Sequence, residues 1–466
     1  MGVIPGGVDP GNQPPMTVPL RHFVVGLGFL LAGTVLGTGL IAGWGPGLGR
    51  PVHVHLLLVG WVCITIMGAM TQFVPVWSGV TLHSRRLATL QLGLVVVGLI
   101  GFAGAFLLGE LGLLVAFGTV VLAGFWTFVY NVGRTLVAVE SLDVTERHFA
   151  VALGFFVLLT AMGVALALEF RTGLFPVLGV SSVDLLSAHA TIAVFGAVLT
   201  TIYGALYQLA TMFTGTELRG IDHLLEPVEE VGHPLGVVLL AAGRLLGSVA
   251  VARIGAVLVL VAALCVAVVL GRKLYEMQVP RTPMHSRYVV VTVSLALWAL
   301  VSMPAWVRAP LDRAHRYGAD GSVHLLVLGV IGFVVIGTLY HIVPFIVWVH
   351  RYSDQLGFGD VPMVDDLYDD RIAAVDGSLL AVGTALLVGW NLLWGWSPLA
   401  MAGGLLVVVG VLAFTANVLL VIHRHSPHSI ARIVFGGLVP GEPIGPAEHS
   451  VPADRGEEHV SNRRAR

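Results

Sequence analysis

Four histidines stand near the beginning of three long apolar stretches of the sequence: His53, His55, His189 and His324. An imidazole inside a bilayer is costly and is usually retained for function, and imidazole is a common ligand of transition metals. The alternative for any single one of them is an ordinary histidine at the membrane interface, hydrogen-bonded to backbone. Four at equivalent positions favour a cofactor site.

The other ligand types in the sequence narrow the choice of cofactor. Cys63 and Cys265, the two cysteines, lie far apart in apolar runs, which excludes a disulfide framework, a C-x-x-C redox pair and a cysteine-ligated zinc or iron–sulfur site. Heme iron and copper both accept imidazole and remain as candidates. Helical positions i and i+2 lie about 200° apart, so His53 and His55 face different neighbours. They serve two sites, or one ligates while the other packs.

The elements that carry these histidines are predicted to cross a membrane. Hydrophobic residues make up 56% of the chain and charged residues 11%, whereas globular domains carry about a quarter charged residues. The net charge of −2 argues against a nucleic-acid partner. A membrane span needs about 20 apolar residues. This length predicts twelve membrane spans: 22–44, 53–78, 87–108, 111–133, 148–169, 184–212, 235–251, 254–271, 287–307, 322–349, 373–394 and 398–423.

An internal repeat relates the second, sixth and tenth spans. Placing Gly60, Gly196 and Gly329 in register separates the three spans by 136 and 133 residues (196 − 60 and 329 − 196). The same register aligns three further sets: Gly68 with Gly204 and Gly337, Gln72 with Gln208 and His341, and Trp77-Ser78-Gly79 with Phe213-Thr214-Gly215. The sequence therefore predicts an all-α integral membrane protein with twelve transmembrane helices in three pseudo-repeats of four, at about 22–133, 148–271 and 287–423.

The flanking segments and the basic residues predict how the chain is placed. Residues 1–20 and 437–466 are predicted to be disordered tails on either side of one membrane domain, 21–436. The protein is expected in the plasma membrane. Most of the 25 basic residues lie on the side that both termini share, so both termini are expected to be cytoplasmic. The four histidines then lie within the first one or two helical turns, in the outer third of the membrane, and the membrane lipid surrounds the bundle.

The second span resembles a known family. His53-x-His55, Gly60-Trp61, Gly68 and Val74-Pro75 are similar to the heme–copper oxidase superfamily, in particular to the catalytic subunit I of C-type cytochrome oxidases and nitric oxide reductases. Residues 53–79 also resemble the NnrS family of heme- and copper-containing membrane proteins of the nitric oxide response. The superfamily's twelve spans and pseudo-threefold arrangement agree with the predicted repeat.

The resemblance implies a low-spin heme b between His324 and His53, with His55 as the rival ligand. Arg50 and Arg313 flank the mouths of the second and tenth spans, where the heme propionates need donors. The alternative for these arginines is that they extend to the interface from a helix end. The expected electron donor is a partner subunit, a cytochrome, a copper protein or a quinol.

The same resemblance leaves the oxygen-reducing site incomplete. His189 matches a copper ligand, but the position of the high-spin heme ligand holds Ser322, and predicted span seven has no histidine. We therefore expect electron transfer, or oxygen or nitric oxide chemistry of the cytochrome c oxidase or nitric oxide reductase type, with catalytic residues unassigned. Two alternatives stay open: an NnrS-like protein of the nitric oxide response, and a transporter or metal-handling protein on the same scaffold.

Overall fold

The computed structural model describes residues 14–45, 47–173, 180–356, 360–395 and 397–436, and within them the chain forms helices and no strand. Twelve long helices follow one another in this part of the chain: α1 (Thr17–Ile41), α2 (Gly49–Ser78), α3 (Arg85–Leu108), α4 (Leu111–Leu136), α5 (Val144–Thr172), α6 (Ser182–Thr214), α7 (Asp222–Leu245), α8 (Val249–Tyr275), α9 (Pro283–Arg308), α10 (Leu325–Arg351), α11 (Asp370–Leu392) and α12 (Ser397–His425). A short helix, α13 (Ile430–Phe435), follows them.

Eleven of these helices are long and apolar enough to cross a membrane, and α7 is the exception. The protein is therefore an integral membrane protein built from helices. The sequence misplaced α7: a span was predicted over 235–251, but the helix begins at Asp222 and the turn to α8 falls at Gly247, whose φ is +67°. The reason is that the first half of α7 is acidic, which lowers its mean hydropathy below that of a membrane span. Two of its acidic residues, Asp222 and Glu229, are nevertheless buried, and residues distant in the chain pair with them.

Two of those pairs join α7 to its neighbours. The Asp222 carboxylate lies 2.9 Å from Lys273 Nζ at the end of α8, and both side chains are fully buried. The Glu229 carboxylate lies 3.1 Å from His148 Nε2 of α5, and both side chains are at most 2% exposed. A buried charge needs such a partner, which is why these acidic residues are tolerated inside the bundle.

The first helix begins earlier than predicted. Thr17 starts α1, and Leu20 is fully buried, so the last four residues of the predicted tail 1–20 are helical instead. The prediction of disorder for residues 1–13 and 437–466 falls outside the described residues.

The helices α2, α6 and α10 form the interior. Between 61% and 78% of their apolar windows is buried, more than for most of the other helices. They surround a central cavity of about 80 Å³, and among the described residues that line it none is charged. Its polar lining comes from Thr65, Thr201 and Thr338, one from each helix.

Local geometry repeats at the spacing that the sequence predicts. A π-helical stretch begins at Leu56 in α2, at Ile192 in α6 and at Leu325 in α10, so the starts are separated by 136 and 133 residues (192 − 56 and 325 − 192). Short π-helical stretches are rare in proteins, and those that occur are often found at functional sites. Each stretch directly follows a position that the repeat aligns with His55.

A second repeated contact joins the first and third units. Asn131 of α4 accepts a hydrogen bond from the Ser84 backbone N–H and donates one to the Ser84 carbonyl, at 2.9 and 3.0 Å. Asn417 of α12 makes the same two bonds with Asp369, at 3.0 and 2.9 Å. Ser84 and Asp369 are the N-caps of α3 and α11. These matched contacts support the threefold repeat, whose superposition as three whole units stays a prediction.

Candidate functional site

The candidate histidines lie at the end of the bundle opposite to both ends of the described chain. Arg21 Nε, near the start of α1, donates a hydrogen bond to the Ile433 carbonyl of α13 at 2.6 Å, so the two ends of the chain meet. The histidines stand where α2, α6 and α10 begin, at the other end. Which end faces the cytoplasm stays a prediction from the basic residues.

His53 is held by α1. Its Nδ1 lies 2.8 Å from the Gly33 carbonyl, and because a carbonyl only accepts, Nδ1 must carry the proton. The lone pair of a neutral ring is then on Nε2, which is free to bind a metal. The ring packs directly on Gly37, where a Cβ would come within 2.3 Å of it. Only glycine leaves room for the imidazole at this position.

His55 faces other neighbours, as the i, i+2 spacing predicts. Its Nδ1 donates to the Pro51 carbonyl at 2.7 Å, and its ring lies against Phe102 of α3 with centroids 4.9 Å apart. The Nε2 lone pair of His55 is therefore also free to bind a metal.

His189 is oriented in the same way by α5. Its Nδ1 donates to the Leu159 carbonyl at 3.0 Å, and a Cβ at Gly163 would lie 3.3 Å from the ring. The imidazole of His189 is close enough to that of His55 to interact with it electrostatically. His189 therefore belongs to the interface between α2 and α6.

His324 lies close enough to His53 to interact with it electrostatically. Its Nδ1 lies 2.9 Å from the amide nitrogen of Asn391 in α11, which also donates to the Leu387 carbonyl at 3.0 Å. An amide nitrogen only donates, so Nδ1 accepts here and Nε2 carries the proton. For Nε2 to bind iron, the amide must turn so that its oxygen faces the ring. Sequence reasoning missed Asn391, although a lone amide inside an apolar span was a visible signal.

The third interface, between α6 and α10, is different. The positions equivalent to the histidines hold Thr191 and Ser322, and Arg244 of α7 occupies the neighbourhood. Its guanidinium donates to Thr191 Oγ1 at 2.7 Å and to the carbonyls of Pro310, His315 and Arg316 at 3.0–3.2 Å. This is the side on which the resemblance implies a high-spin heme and copper, and a buried cation stands there instead. Sequence reasoning did not foresee this role of Arg244.

The remaining predicted residues lie at the rim or deeper. Arg50 begins α2 and Arg313 lies in a short turn before α10, and both side chains are exposed. His233, which the sequence placed before span seven, lies inside α7 and is bonded to the Phe195 carbonyl at 2.9 Å. It therefore does not join His189.

A bare metal ion and a heme place different demands on the protein ligands. Among the described residues no group of three or more His, Cys, Asp or Glu side chains is placed to hold an ion. A structural or catalytic metal ion takes at least three protein ligands, whereas a heme supplies four nitrogens of its own and needs two axial ligands. Neighbouring imidazoles with their Nδ1 atoms hydrogen-bonded could serve as such ligands.

Comparisons with known proteins add no relative. A scan against protein-family models gives no match, and a search of the curated proteins finds none that is significantly similar.

Proposed function

We propose that this protein is a redox membrane protein of the heme–copper oxidase subunit I type, in which a low-spin heme b between His53 and His324 carries electrons. The observation that carries the proposal is that these two imidazoles lie close enough to interact electrostatically, each with its Nδ1 hydrogen-bonded to another helix. His53 already has the tautomer that binds iron through Nε2, and Asn391 would set the same tautomer at His324 once its amide oxygen faces the ring. When bound, the heme supplies a one-electron couple.

Electron transfer is favoured over oxygen or nitric oxide reduction. An iron with two axial imidazoles has no open position for a substrate, and the α6–α10 interface, with Thr191, Ser322 and Arg244, offers no axial imidazole. We therefore expect little oxygen or nitric oxide turnover by this chain alone. A copper ion at His189 would be a weak site, because no group of three His, Cys, Asp or Glu side chains is placed to hold it among the residues that the structure describes.

The other residues are given roles that follow from this proposal. Arg50 and Arg313 are exposed at the same end as the histidines and are proposed to hold the heme propionates. The electron donor is proposed to be a quinol, a cytochrome or a copper protein. Transport through the middle of the bundle is less well supported, because the central cavity has an apolar wall with three threonines.

A reduced-minus-oxidised optical spectrum of the purified protein, with heme extraction and metal analysis, tests the proposal. We expect bound heme b, and we expect His324→Ala to remove the His53–His324 low-spin signal. The matched control is His341→Ala, on the same helix and about 25 Å deeper at 1.5 Å per residue, where the ring packs on Phe213. A protein that binds no heme, or a His324→Ala variant with an unchanged spectrum, would refute the assignment.

A further inference from the structure

The histidine positions follow one cyclic rule around the bundle. The first histidine position of each inner helix is His53, His189 or Ser322, and the position two residues later is His55, Thr191 or His324. The later position of α10 and the first position of α2 hold His324 and His53, which lie close enough to interact electrostatically. The later position of α2 and the first position of α6 hold His55 and His189, which do the same. Two of the three interfaces therefore carry the same pair.

The second pair is well prepared to bind a metal. Both Nδ1 atoms donate to carbonyls, of Pro51 at 2.7 Å and of Leu159 at 3.0 Å, so both rings present an Nε2 lone pair. The α2–α10 pair has this tautomer only at His53. Both rings of the second pair also keep part of their surface exposed.

We propose that His55 and His189 are the axial ligands of a second heme, in the interface between α2 and α6. The pair lacks the third protein ligand that a bare ion needs, since no three-residue group is found in the part of the chain that the structure describes. A porphyrin supplies the missing donors itself. This inference extends the proposed function, which assigns one heme to the other interface.

The two hemes would stand on opposite sides of α2 at nearly the same depth. His53 and His55 are two residues apart, which is about 3 Å along a helix axis. Electrons could then pass across α2, parallel to the membrane surface, without a cofactor at the Arg244-occupied interface.

Heme stoichiometry tests the second site. Purified protein should contain two hemes per chain, and His55→Ala or His189→Ala should each leave one. His53→Ala or His324→Ala should also leave one, and His53→Ala combined with His189→Ala should leave none. A single heme that survives both His55→Ala and His189→Ala would overturn this proposal and keep the proposed function. A single heme lost only with His55 or His189 would do the reverse, and no heme would refute both.

A more conservative variant tests the second heme site with less risk that the protein fails to fold. His189→Met replaces imidazole by a thioether, which raises the reduction potential of a heme. We expect one of two steps in a redox titration to move to higher potential while the other stays. A titration identical to that of the wild type, or copper bound without porphyrin at His189, would refute the assignment.

Discussion

Gly37→Ala should disturb the His53 heme site without removing any ligand. A Cβ at position 37 would lie 2.3 Å from Cε1 of His53, whereas an ordinary contact begins at 3.4 Å. The ring must therefore retreat by about 1.1 Å (3.4 − 2.3), or α1 must move by as much. An imidazole–metal bond is about 2.0 Å long, so this shift is more than half a bond length. The hydrogen bond from His53 to Gly33 on the same face of α1 resists rotation of the ring out of the way.

The measurement is the low-spin heme spectrum and the heme content of Gly37→Ala. We expect the signal of the His53–His324 heme to be lost or converted to high spin, while the proposed His55–His189 heme is unchanged. Gly39→Ala is the matched control, because a Cβ there meets nothing within 4 Å. Alanine in place of glycine inside a helix stabilises it by roughly 0.5–1 kcal/mol, so the control should be at least as stable as the wild type. A normal spectrum for Gly37→Ala would refute the geometric reasoning.

Two more predictions concern partners of buried groups. Asn391→Asp places a carboxylate oxygen beside Nδ1 of His324, which fixes the iron-binding tautomer and makes the ring more basic. The reduction potential of the His53–His324 heme should therefore fall in a redox titration. An unchanged or higher potential would contradict this prediction. Asp376→Asn removes the charge that faces buried Arg287. Losing one partner of a buried ion pair lowers the stability of a folded protein by about 3–5 kcal/mol, so the thermal unfolding midpoint in detergent should fall. Glu230→Gln, in a pair whose arginine is 45% exposed, is the control and should cost about 1 kcal/mol or less; equal effects would contradict the prediction.

The sequence predicted those features of the fold that depend on local composition. Runs of apolar residues mark eleven of the helices, and the register of Gly60, Gly196 and Gly329 matches the register of the π-helical stretches. The apolar run and the glycine spacing can each be recognised within a single helix, without knowledge of its neighbours. The boundary of α7 was wrong because its acidic residues are neutralised by Lys273 and His148, which lie 51 and 81 residues away in the chain (273 − 222 and 229 − 148) and cannot be seen in a local window.

The candidate site shows the same limit. The i, i+2 spacing correctly predicted that His53 and His55 face different neighbours, because helix geometry alone decides it. Which helix each of them faces depends on the order of α6 and α10 around α2, and no local pattern contains that order. The groups that hold three of the rings lie on other helices for the same reason: the Gly33 carbonyl for His53, the Leu159 carbonyl for His189 and the Asn391 amide for His324.

The difference between the three interfaces bears on the proposal of two hemes, and not three. Threefold geometry would allow a histidine pair at each interface, yet the third carries Thr191 and Ser322. Arg244 there is only 4% exposed and is bound by one hydroxyl and three carbonyls. A buried guanidinium with satisfied donors is stable, but it repels the positive iron of a heme and occupies the space near Thr191. The same side chain ties the loop before α10 to α6 and α7, so this interface is braced by hydrogen bonds where the other two carry histidines.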